Sequence, residues 1–446
     1  MAGTSAPSRA LPGYAIALAQ LFGQNLHGLV SRFTRLPATG IAARPDAAQL
    51  TAILTRTESA LADDILPFWT RDTWDEDGGG FITHLDRTGR RSGPTGKFLM
   101  TQAGTIWALA AGHRHGLEDR GYLELARRGV RFLIEKMWDQ DHGGFVWQVA
   151  RDGHVVDPRK DTCGQAVAIE ALTEYASASG DEAALATASA LFDLLHSRAG
   201  DGSLGFRERF TRDWTPAPDS SGERKTLLAH LHLMTAFTLL AGATGASAHT
   251  AAAEKILALL LTLRRGMTFD RSWQPLDLGF GRSVTSYGLN VEAAWLMLDA
   301  ADAVGTSDRI RETALAAIDH ALAYGFDWRR GGLARCGPPR GHVANAVYLG
   351  SRRLDKVWWA QAELLVATIE AYRLTGAAAY FGAFQKQFDW IWTHQADREA
   401  GSWFEATTWR DGRPLSFTKG DAGRCPFHET RALIRVSRAL HGMGIG

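Results

Sequence analysis

A turn rich in glycine, aspartate and aromatic residues recurs along this chain. It reads WDEDGGGFITHLDRTGR at 74–90, WDQDHGGFVWQVARDGH at 138–154, AGDGSLGFRERFTRDW at 199–214, FDRSWQPLDLGFG at 269–281, FDWRRGGLARCG at 326–337 and ADREAGSWFEATTWRDGRP at 396–414. With Gly80, Gly144, Gly205, Gly332 and Gly401 as markers, the steps are 64, 61, 127 and 69 residues, and the long step spans the degenerate fourth copy. A period of this size marks stacked units, none of which buries its apolar face alone. Within each turn, apolar and aromatic residues alternate with polar ones around a glycine, the pattern of a short hairpin.

Two helical patterns lie between successive turns. They are 102–113 with 123–136, 165–178 with 182–195, 227–242 with 251–263, 290–304 with 308–324, and 358–374 with 380–392. A last helix starts near Phe427, and its partner is 49–69 at the other end of the chain. The two ends each supply half a hairpin and complete one another. The expected architecture is therefore all-α: a closed (α/α)6 barrel with short β-hairpins at one end, over 46–446. An open helical solenoid is the alternative. Residues 1–45, rich in Ala, Gly, Ser and Arg, read as an N-terminal extension with the composition of a transit peptide and an amphipathic stretch at 14–33.

A formal net charge of +1 gives no reason to expect a nucleic-acid partner. No run of about 18 apolar residues is present, so no transmembrane helix is expected. Cys163, Cys336 and Cys425 are far apart and odd in number, which fits a reducing, cytoplasmic compartment better than a disulfide framework. No cluster of metal ligands at useful spacing appears, and neither metal nor cofactor is expected. A monomer or homodimer acting on a small molecule is the expectation.

Polar and aromatic residues gather where each inner helix starts and vanish a turn later. These starts are GKFLMTQAG at 96–104, RKDTCGQA at 159–166, AHLHLM at 229–234, SYGLNVEAAW at 286–295, KVWWAQAE at 356–363 and KGDAGRCPFHETR at 419–431. In a closed barrel they meet around one mouth, where a ligand site belongs. Pro426 ends a loop and His428 opens the last helix, so its imidazole stands at the rim. Fifteen tryptophans are many for 446 residues, and loop indoles suit flat sugar faces.

These segments resemble the N-acylglucosamine 2-epimerase superfamily of sugar 2-epimerases and aldose–ketose isomerases. The resemblance rests on SYGxxxEAxW at 286–295, KxWWxQAE at 356–363, HLH at 230–232, CPFH at 425–428, GQA at 164–166 and the GGF turns, and it covers about 50–440. It implies metal-free proton transfer beside a carbonyl, through a cis-enediolate, on a carbohydrate. His428 matches a catalytic histidine, His232 a substrate-binding histidine, and Glu292 an active-site glutamate. His428, His232 and Glu292 are the catalytic candidates. Trp358, Lys356, Glu363, Gln102 and Tyr287 are the substrate-binding candidates. Lys356 and Glu363 have a second reading, as an ion pair beneath the pocket. His230, two positions before His232, points to a different side of the helix and reads as structural. Of Trp358 and Trp359, only one can face the pocket.

The departures from the family pattern lie at the same site. Leu289 stands where the second catalytic histidine belongs, Gly104 where an arginine follows QA, and Leu228 where an asparagine precedes His232. Gly423 stands at about the place of an aromatic residue. A leucine transfers no proton, so a modified active site is expected. The alternatives are an (α/α)6 hydrolase or lyase, with an acid such as Asp219, and a non-catalytic sugar-binding protein.

Overall fold

The structure is a computed structural model that describes residues 45–200, 205–218, 225–262, 264–265, 268–269, 284–305, 308–338, 342–343, 354–415 and 418–445. The chain divides into two units, Met1–Ile41 and Ala42–Gly446. The N-terminal extension lies outside the described residues apart from its last position. Asp219 and most of the turn at 269–281 lie outside them too.

Helices alternate between an outer and an inner ring. The outer ones are α1 (Ala47–Ala60), α3 (Tyr122–Phe132), α5 (Glu182–Leu194), α7 (Ser247–Thr262), α9 (Asp308–Tyr324) and α11 (Ala378–Trp390). The inner ones are α2 (Leu99–Arg114), α4 (Thr162–Ser179), α6 (Leu227–Thr244), α8 (Tyr287–Val304), α10 (Trp358–Thr375) and α12 (Phe427–Gly442). Each inner helix packs on the next, and α12 packs back on α2, so the ring closes. Each also packs on an outer helix, α12 taking α1 from the far end of the chain. This is the (α/α)6 barrel.

The inner helices are apolar on all sides because every side meets protein. In α4, each residue from Thr162 to Ala176 is buried. One consequence corrects the membrane reading. Helix α6 is long and apolar enough by composition to cross a membrane. In this fold the helix packs against α4, α7 and α8.

The turns differ from isolated hairpins. Two-residue antiparallel pairs join one repeat to the next: Lys97–Phe98 with Gln148–Val149, Lys160–Asp161 with Arg209–Phe210, and Lys356–Val357 with Ala406–Thr407. Leu85 pairs with Gly420, which links the first repeat to the last. Inside four of the turns an aspartate caps a glycine loop: Gly79 N–H donates to Asp75 O, Gly143 to Asp139, Gly331 to Asp327 and Gly401 to Asp397.

A buried lysine then locks each of these turns. Lys97 pairs with Asp75 at 3.0 Å, Lys160 with Asp139 at 3.0 Å, Lys356 with Asp327 at 3.2 Å and Lys419 with Asp397 at 2.9 Å. Burial pulls the Lys356 and Lys419 ammonium groups down to about 8, against the opposing pull of their aspartates. A glutamine in the following helix clamps the turn backbone. Gln102 accepts from Phe81 N and donates to Phe81 O, Gln165 does the same at Phe145, and Gln361 at Leu333. In the third repeat His230 takes this place, its Nε2 accepting from Phe206 N at 2.9 Å. Irregular backbone buried at a barrel rim needs such partners for its polar groups.

Candidate active site

The clamps correct three expectations. Gln102 spends its amide on the Phe81 backbone. Lys356 is fully buried, donates to Gly331 O and lies 3.6 Å from the Trp390 ring centre. It pairs with Asp327 and not with Glu363. Tyr287 donates its hydroxyl to Pro338 O, and its ring lies 5.7 Å from His320 of α9, toward the outer ring. All three residues sit near the inner-helix starts. Sequence position cannot say which side of a helix meets the mouth and which meets the next layer.

A turn deeper, side chains from three inner helices converge. His428 of α12 places Nδ1 2.7 Å from Glu363 Oε1 of α10. Arg431, one turn after His428, donates Nη2 to Glu363 Oε1 at 2.8 Å and to Glu292 Oε1 of α8 at 2.6 Å. Trp295 Nε1 donates to the other Glu363 oxygen at 2.7 Å. Burial pushes the Glu363 carboxyl up, but Arg431 and His428 outweigh it and hold the group well below the usual carboxylate range. An ionised carboxylate only accepts, so the proton shared with it sits on His428 Nδ1. The Nε2 lone pair is then free to act as a base. The His428 side chain keeps 21% of its exposure, whereas Glu363 has none.

His232 and Glu170 form a second couple. His232 Nδ1 lies 2.9 Å from Glu170 Oε1 of α4, with both side chains buried. The His232 and His428 rings both border Phe427, at 6.0 and 5.5 Å between centroids. His428, Glu292 and His232 thus come together around Phe427 and Arg431. The indole beside the base belongs to Trp359, 6.1 Å from the His428 ring, while Trp358 lies against Arg424.

The departures have structural counterparts. A Cβ on Gly104 would stand 2.5 Å from Cys425 Sγ and 3.4 Å from Phe427 Cβ, so any side chain here would meet α12 and the loop before it. Leu289 is buried, and Leu228 stays 37% exposed.

Ligand atoms of Glu292, Glu363 and His428 lie within 4.8 Å of one another, so a possible metal triad exists that residue spacing along the chain did not foreshadow. The Arg431 guanidinium bonds both carboxylates and already supplies the positive charge there. Arg431, Glu170 and Trp295 were not singled out in the sequence, which left Trp358 and Trp359 as alternatives for the pocket wall. The available signal was a charge set within an otherwise apolar inner helix, as in AVAIEAL around Glu170.

Comparison with known proteins bears on the family and the fold. The family model for N-acylglucosamine 2-epimerase (GlcNAc 2-epimerase) matches residues 79–429. Cellobiose 2-epimerase of Bacteroides fragilis is 28% identical over 398 residues, covering 85% of this chain and 97% of that one. D-mannose isomerase of Marinomonas mediterranea is 22% identical, covering 81% and 92%. The structure of cellobiose 2-epimerase from Spirochaeta thermophila superimposes with a TM-score of 0.78 at 28% identity, covering 89% and 98%. With the ring closed, the turn clamps repeated and the match running from the first turn to α12, the chain belongs to the N-acylglucosamine 2-epimerase family.

Proposed function

We propose that this protein is a carbohydrate isomerase or 2-epimerase in which His428 removes the proton next to a sugar carbonyl. The observation that carries the reading is the His428–Glu363 contact at 2.7 Å, backed by Arg431. Glu363 fixes the tautomer and steadies the imidazolium as it forms. General acid–base catalysis needs a base held within reach of the proton, and the Glu363 contact holds the imidazole in one orientation. Trp359 offers a flat face beside the base for the sugar ring. Arg431 pairs with both glutamates and supplies there the positive charge that a metal would otherwise bring, so we read the site as metal-independent. Three buried free cysteines fit a cytoplasmic site of action, and we take the protein to act as a monomer or homodimer.

The hydrolase reading has less support. It needs two carboxyl groups flanking a bond, one of them protonated. Glu292 and Glu363 instead share one Arg431 nitrogen. The test is deuterium exchange at C2 of aldoses in heavy water. Wild type should exchange, and His428→Ala should lose about 10²–10⁴-fold of it. Equal exchange in the two proteins would end the assignment.

A further inference from the structure

Removing a proton from C2 is half of an epimerisation; the other half delivers a proton to the opposite face. Leu289, buried on α8 about a turn before Glu292, carries no proton. The Glu170–His232 couple is the feature that answers the deficit.

His230 and His232 sit two residues apart on α6 and are used differently. Both nitrogens of His230 are engaged, Nε2 by Phe206 N and Nδ1 at Thr226 O. That is how a structural histidine is satisfied. His232 is bonded at Nδ1 alone, to Glu170. Its Nε2 has no hydrogen bond among the described residues, and it is not one of the buried polar atoms lacking a partner. It therefore opens onto the barrel interior. In the ring order α2, α4, α6, α8, α10, α12, helices α6 and α12 are opposite members. His232 thus approaches from the side across from His428, and Phe427 borders both rings. Glu170 is buried on a helix whose neighbouring positions are apolar. Burying a carboxylate there is costly unless it is paired.

We propose that Glu170 is the positioning residue of a second proton carrier, His232, which works on the face of C2 opposite His428. The proposal rests on the reading of His428 as the first base. As His428 Nε2 takes the proton, the C2–H bond breaks, its electron pair forms the C1–C2 double bond, and the C1 carbonyl becomes an enediolate oxygen. His232 Nε2–H then gives its proton to C2 from the other side, and the C1 carbonyl re-forms. His428 is left protonated and His232 neutral, and exchange with water resets both. Without His232, His428 can return its proton only to its own face, at C2 to regenerate substrate or at C1 to give the ketose.

The experiment follows D-mannose and cellobiose in heavy water by NMR, with wild type, His232→Asn, Glu170→Gln and His428→Ala. Wild type should form the C2 epimer with solvent deuterium at C2. His232→Asn should lose epimer by about 10²–10⁴-fold while deuterium wash-in to recovered sugar, or ketose formation, persists. Glu170→Gln, nearly isosteric, should shift the epimer-to-wash-in ratio in the same direction with KM little changed. A merely structural role for Glu170 would lower all products together and leave that ratio alone. One common loss factor in His232→Asn, a rise in KM only, or ketose as the sole wild-type product would overturn the proposal while leaving the His428 reading intact. Absence of any C2 exchange in wild type would overturn both.

Discussion

Glu363 Oε1 lies 2.7 Å from His428 Nδ1, and Glu363 itself has no solvent exposure. The carboxylate cannot reach substrate, so its contribution passes through the imidazole. Glu363→Gln should lower kcat with little change in KM, by less than the loss from removing His428 itself. The variant also has a pH signature. The folded-state carboxyl sits below the unfolded value of about 4.3. Its contribution to stability is therefore complete above that value and is lost as pH falls through the folded one. Thermal melts across the acid range should show part of the acid destabilisation of wild type missing in Glu363→Gln.

The Lys356–Asp327 clamp predicts a stability cycle. Removing one partner of a buried pair strands the other charge, at a cost of about 3–5 kcal/mol. Lys356→Met should therefore destabilise strongly, and adding Asp327→Asn should recover much of the loss. The lysine is depressed to about 8 in the fold, against about 10.4 unfolded. Between these values the unfolded chain binds more protons, so this lysine's contribution to stability rises with pH across that window. Urea denaturation at both ends of the window should show a smaller rise in the double variant.

Gly104 tests how closely the loop before α12 packs on α2. With Cys425 Sγ 2.5 Å from the position of an added Cβ, Gly104→Ala should cost about 1–3 kcal/mol through overpacking. Pairing it with Cys425→Gly should relieve most of that. Melting temperatures of the two variants decide the point, and equal values would remove the steric account.

The guanidinium between Glu292 and Glu363 leads to a metal prediction. Chelator treatment should leave wild-type turnover unchanged. Arg431→Met exposes two carboxylates and an imidazole, a donor set suited to zinc. That variant should gain thermal stabilisation on adding zinc, and wild type should not. Loss of wild-type activity on chelation would contradict the role given to Arg431.

Much of this protein is legible along the chain. The repeat near 60 residues, the closure of 49–69 onto the last helix and the rim position of His428 all follow from periodicity, because every unit needs neighbours to bury its apolar face. Which side of an inner helix meets the mouth is not legible. Gln102, Lys356 and Tyr287 lie in the same starting segments as the site residues, yet the tertiary structure commits them to turn backbone, a buried aspartate and the outer ring. Glu170 and His232 are 62 residues apart, and Glu292 and Arg431 are 139 apart. Such pairings carry no local pattern, since helix periodicity reports only which residues share a face of one helix. Packing of successive inner helices brings α4 to α6, and the closed ring brings α8 within reach of α12. The site's charge balance was therefore decided in three dimensions: one guanidinium for two carboxylates, and one carboxylate for each imidazole.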